Sequence, residues 1–86
     1  MDIGVEISLY PLEQDVVPAV HEFLDRLNGD PRLRVLTNSM STQVFGAYEA
    51  VMETLGRELR TTFESLGARR ARAVFVLKVL GPLPPG

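Results

Sequence analysis

The sequence predicts an α+β fold, a four-stranded antiparallel sheet with two helices on one face. Three observations predict it. Four short stretches alternate apolar and polar residues or are rich in β-branched ones. Two longer stretches repeat apolar residues at helical spacing, and the order along the chain is βαββαβ.

"IGVEISLY" (3–10) is the first strand. Ile3, Val5, Ile7 and Leu9 share one face; Gly4, Glu6, Ser8 and Tyr10 share the other; Pro11 ends it. "QDVVPAVHEFLDRLNG" (14–29) is the first helix, with Asp15 as N-cap, Pro18 in the tolerant first turn and Gly29 as stop. Its apolar stripe is Val17, Val20, Leu24 and Leu27, with Phe23 beside it. "RLRVLTN" (32–38) and "STQVFGA" (41–47) are the second and third strands, separated by Ser39 and Met40. "YEAVMETLGRELRTTFESLG" (48–67) is the longer helix, carrying Tyr48, Met52, Leu55, Leu59, Phe63 and Leu66 near 3.6 spacing. "RAVFVLKVL" (72–80) is the fourth strand. "GPLPPG" (81–86) reads as a tail with no core of its own, so the domain is expected to span 1–80.

This order is the split βαβ, or ferredoxin-like, arrangement. Right-handed crossovers then place both helices on one face and give the strand order 4-1-3-2, with strands 1 and 3 central.

At 86 residues the chain is one small domain, of a size that often gains stability by oligomerising. A net charge of −2 gives no electrostatic reason to expect nucleic acid as a partner. The basic run "ARRAR" (68–72) has no interleaved aromatic and reads as a solvated helix end. There is no cysteine, and His21 is the single histidine, so thiolate and histidine-cluster metal sites are excluded and no cofactor is expected. "MDIGVEI" lacks the basic start of a signal peptide, and no apolar run approaches the ~20 residues of a membrane span. The expected location is cytoplasmic, with no membrane insertion.

The sheet face away from the helices is expected to be mixed. Glu6, Ser8 and Tyr10, Arg34, Leu36 and Asn38, and Ser41, Gln43 and Phe45 fall on it, while strand 4 is apolar on both faces. Apolar residues on an open face indicate an interface, and a homodimer is the default expectation.

Between Thr37 and Gln43 the chain is dense in hydroxyl and amide side chains: Thr37, Asn38, Ser41, Thr42 and Gln43. The topology brings this turn to the same sheet end as "SLYPL" (8–12), with Tyr10 expected near Ser41 and Ser8 near Gln43. Such a set suits a small, flat, polar heterocycle. Tyr10 or Phe45 would stack on it, Met40 pack against it, and Asn38 or Gln43 pair with its edge. Glu6 would meet a protonated nitrogen. Residue chemistry alone leaves a second reading open, a hairpin decorated with Ser and Thr. The usual acid–base and nucleophile constellations are missing: His21 sits on the first helix, and Glu49 and Glu53 form a solvated pair. A non-catalytic binding protein is the expectation. An enzyme on this fold would have Glu6 as its only ionisable group in the cleft.

"ISLYPL" (7–12) followed by "TNSMSTQVFGAYEAVM" (37–52) resembles the YkoF-like family of thiamin- and hydroxymethylpyrimidine-binding domains, over about residues 5–55. The resemblance implies a ferredoxin-like fold, binding of thiamin or its hydroxymethylpyrimidine moiety as ligand, no catalysis, and a bacterial role in thiamin-precursor uptake or salvage. Tandem domains occur in that family; one domain here implies a homodimer in their place, with a tetramer as the alternative. The implied binding residues are Tyr10, Asn38, Met40, Ser41, Thr42 and Gln43, to which geometry adds Glu6 and Ser8. The competing expectation is a structural or regulatory homo-oligomeric module with no ligand.

Overall fold

A computed structural model describes residues 1–84. The elements are β1 (Asp2–Pro11), α1 (Val17–Asn28), β2 (Arg34–Thr37), β3 (Thr42–Ala47), α2 (Tyr48–Ala68) and β4 (Ala73–Leu83). The sheet is antiparallel throughout in the order β2-β3-β1-β4, which is the expected order read from its other edge. The fold is the ferredoxin-like α+β arrangement.

Strand alternation fixes the core. Ile3, Val5 and Ile7 of β1 and Val44 of β3 point to the helix side and pack on Phe23 and Leu27 of α1 and Val51 and Leu55 of α2. Phe75 of β4 joins them, its ring tilted against Phe23 at 5.1 Å and edge-to-face with Phe63 at 5.4 Å. On the other face Gly4 leaves room for the Phe45 ring, which a Cβ there would meet at 2.9 Å. The Arg34 guanidinium caps the same ring at 4.6 Å.

Several expectations are corrected. β1 includes Pro11, because the proline nitrogen faces a side where no strand waits for a donor. α1 begins at Val17 with Val16 in the cap position, while the Asp15 carboxylate accepts the Val17 N–H at 3.3 Å from just outside the helix. The buried faces of both helices are rotated from the apolar stripes. α1 buries Ala19, Phe23 and Leu27 and leaves Val17 exposed; α2 buries Val51, Thr54, Leu55, Glu58, Thr62 and Leu66 and leaves Tyr48, Met52 and Phe63 exposed.

Polar pairs accompany the polar residues on the buried side of α2. Glu58 accepts from the Arg26 guanidinium and from Arg57 Nε at 2.9 Å. Arg26 Nη2 donates to Thr62 Oγ1 at 2.7 Å, and Thr54 Oγ1 donates to Asp30 Oδ2 at 2.7 Å. Among the described residues no buried side-chain polar atom lacks a partner, so these polar groups are tolerated inside. Arg32 and Thr54 together hold the Asp30 carboxyl well below the usual aspartate range. Arg69 likewise lowers Glu13, through bonds of 3.0 and 2.9 Å.

β4 also runs further than expected. Gly81–Leu83, read as tail, continue the strand, and a Cβ on Gly81 would stand 2.7 Å from Ile3 Cγ2. Pro85 and Gly86 lie outside the described residues.

Candidate functional site

β1 outruns its neighbour. It pairs with β4 as far as Pro11↔Ala73, but with β3 only as far as Ile7↔Thr42. The β2–β3 hairpin stops short because residues 38–41 are spent on a tight turn. The Asn38 N–H donates to the Ser41 carbonyl at 3.1 Å. Its side-chain Oδ1 accepts the main-chain N–H groups of Met40 at 2.8 Å and Ser41 at 3.1 Å. This is an Asx turn, the local chemistry for which Asn is favoured.

A cavity of about 220 Å³ fills the step between the free end of β1, the first turns of α1 and the hairpin tip. Of the residues expected at a site, it brings together Ser8, Tyr10, Asn38, Met40, Ser41 and Thr42. Thr42 is buried on the helix side with its Oγ1 3.0 Å from Thr37 Oγ1, so the floor is a pair of hydroxyls. Met40 is 84% exposed and sits at the rim. Asn38 has its side-chain carbonyl committed to the turn, which leaves only its amide nitrogen to offer a ligand.

Glu6 and Gln43 are not in this cavity. They are cross-strand partners on the open sheet face. Ser8 is therefore not opposite Gln43: the register sets Glu6 there, a two-residue step that preserves the face of every side chain, while Tyr10 and Ser41 still meet at the cavity. Gln43 Nε2 donates to Ser41 Oγ at 2.9 Å, and Ser41 Oγ donates to Glu6 Oε2 at 3.1 Å. Lys78 Nζ lies 3.8 Å from the other Glu6 oxygen, so the carboxylate already has a cation. Phe45, expected as a stacking ring, lies with Gly4 and Arg34 instead and does not line the cavity.

Sequence reasoning missed the cavity's apolar walls. Leu9 of β1 and Val20, Phe23 and Leu24 of α1 line it, as do Thr37 and Ser39. Phe23 and Leu24 read as core in any helical stripe, and nothing in the residue pattern marks them as a wall. Among the described residues no charged side chain lines the cavity, which favours a neutral guest. Among the described residues no three His, Cys, Asp or Glu side chains group as a metal site, and no helix is long and apolar enough to cross a membrane.

No family model and no curated protein matches the chain. Solved structures do. A candidate thiamine biosynthesis/salvage protein from Thermotoga maritima superposes with a TM-score of 0.78 at 16% identity, over 92% of this chain and 82% of that one. A hypothetical protein from Methanocaldococcus jannascii gives 0.78 at 21% identity, over 99% and 84%. A domain of unknown function from Bacillus cereus gives 0.76 at 14% identity, over 95% and 77%. The likeness shows the fold. At these identities it carries no residue-level assignment.

Proposed function

We propose that the protein binds thiamin or its hydroxymethylpyrimidine moiety without catalysing a reaction, and serves thiamin-precursor uptake or salvage. The observation that carries this reading is the cavity at the step of the sheet, where two segments distant in sequence meet around a neutral, part-apolar, hydroxyl-floored space. Its volume of about 220 Å³ lies under the roughly 300–1,000 Å³ of pockets for drug-sized ligands. A single ring fits that size, so the pyrimidine moiety is the part held inside. The thiazolium and any phosphate of whole thiamin would remain outside, because the lining offers them no counter-charge. The thiamine-salvage description of the Thermotoga maritima neighbour points the same way.

The test is a thermal-shift titration with hydroxymethylpyrimidine, thiamin and thiamin phosphate. Ligand at 100 times its dissociation constant adds about 2.7 kcal/mol, which in a domain of this size raises the melting temperature by roughly 10–20 °C. Unchanged melting with all three at millimolar concentration would refute the proposal.

A specific observation supports a second role, self-assembly. β4 is an edge strand whose Val74, Val76, Val79 and Leu80 are all exposed, the last at 65%. An edge of eleven residues with apolar side chains is a template for pairing with a second copy. On this reading the working unit is a homodimer. If no ligand binds, assembly is the function that remains.

A further inference from the structure

The main chain of Leu9 carries the observation that goes furthest. The Leu12 N–H donates to the Arg72 carbonyl at 2.8 Å, on the β4 side of β1. Main-chain groups alternate sides along a strand, and the register with β4 is regular from Gly4 to Pro11. Ser8 and Tyr10 therefore address β4, as Leu12 does. Ile7, Leu9 and Pro11 turn their main-chain groups to the opposite side. Ile7 meets Thr42 there, and Leu9 meets the cavity.

Continuing the register past Ile7↔Thr42 would set Leu9 opposite Met40. Met40 cannot donate to the Leu9 carbonyl, because its N–H is already given to Asn38 Oδ1 at 2.8 Å within the turn, and the pairing of β1 with β3 ends at Ile7↔Thr42, before Leu9 N–H could reach the Met40 carbonyl. Among the described residues no strand pairs with Leu9 on this side and no loop main-chain group bonds to its N–H or C=O. One donor and one acceptor thus face the cavity from a strand held rigid by β4. The next residue with this orientation is Pro11, which has no N–H to give. A peptide strand laid along this edge would find a single residue's donor and no more, so the edge is closed to strand addition and open to something small.

We propose that the Leu9 N–H and C=O read the ligand, and that the site selects a neutral, planar, single-ring heterocycle carrying a hydrogen-bond acceptor beside a donor on one edge, as a 4-aminopyrimidine does. The ring nitrogen accepts from Leu9 N–H and the exocyclic amine donates to Leu9 C=O, in the place that Met40 vacates. This rests on the small-molecule reading above and names the group that does the recognising. Because the reading group is main chain, side-chain substitutions that leave the Asn38 turn intact are expected to weaken recognition without abolishing it.

The test is amide exchange and nitrogen–proton correlation spectroscopy on the ¹⁵N-labelled protein, with and without 4-amino-5-hydroxymethyl-2-methylpyrimidine. The analogue bearing a 4-methyl group in place of the amine serves as comparison. Without ligand, the Leu9 amide exchanges far faster than that of Ile7. With ligand it shifts downfield and its exchange slows by about tenfold or more, and the 4-methyl analogue binds about tenfold more weakly. Three results overturn the inference. One is a Leu9 amide as protected as Ile7 in the free protein. Another is saturable pyrimidine binding that leaves Leu9 unmoved, which sinks this inference and spares the binding function. The third is no binding of either pyrimidine, which sinks both.

Discussion

Asn38 Oδ1 holds the main-chain N–H of Met40 at 2.8 Å, and strand register would otherwise have given that N–H to Leu9. One side-chain acceptor thereby decides where the hairpin stops. It makes the turn tight, delays the start of β3 to Thr42 and leaves the last residues of β1 paired on one side only. The cavity is the space that this early stop leaves beneath α1.

Removing that acceptor should loosen the turn and with it the cavity wall. Asn38→Ala is expected to cost about 1–2 kcal/mol in urea unfolding, since two exposed side-chain bonds are lost, and to abolish the pyrimidine-induced melting shift. Asn38→Asp, which keeps the acceptor, should retain most of the stability and the shift. A fully ligand-responsive Asn38→Ala protein would show that the turn does not shape the site.

The Asp30 cluster predicts acid sensitivity of the fold. Arg32 and Thr54 hold the carboxyl below its ordinary value of 3.8, so the folded state binds the proton more weakly than the unfolded chain does. The contribution is complete above about pH 4 and is lost progressively as the pH falls below that. Glu13, lowered by Arg69, acts with the same sign. Urea unfolding between pH 2 and 7 should show stability falling on the acid side. Asp30→Asn should be less stable at neutral pH and flatter across the acid range; an identical slope would deny Asp30 this role.

Gly81 tests whether the strand continues where the residue pattern suggests a tail. Gly81→Ala drives a Cβ to 2.7 Å from Ile3 Cγ2, a buried side chain, and should cost about 1–3 kcal/mol by overpacking. Chemical denaturation measures it. A neutral substitution would mean that residues 81–83 do not dock on β1.

The apolar edge predicts self-association. The protein is expected to sediment as a homodimer at micromolar concentration, and Val76→Lys, on the open face of β4, to sediment as a monomer. A monomeric parent protein would remove the assembly reading and leave the binding reading untouched.

The strands were legible and the helices' buried sides were not. In β1 a two-residue period maps straight onto two faces, so Ile3, Val5 and Ile7 could be assigned to the core from their spacing alone. In α2 the side facing the protein carries Thr54, Glu58 and Thr62, polar residues whose partners Asp30 and Arg26 come from elsewhere in the chain. An apolar stripe cannot reveal that. The cavity was legible as a meeting of two segments but not in its register. That was set by an Asx turn, whose effect is to spend residues rather than to add a signal. Leu9 left no trace in the pattern of side chains, because what it offers the cavity is main chain.

The most direct test of the account is a titration of the labelled protein with hydroxymethylpyrimidine, followed residue by residue through its amide resonances. The account predicts a saturable change confined to residues 8–10, residues 37–42 and the facing side of α1. No change, or a change confined to β4 and the open sheet face around Glu6 and Gln43, would contradict it.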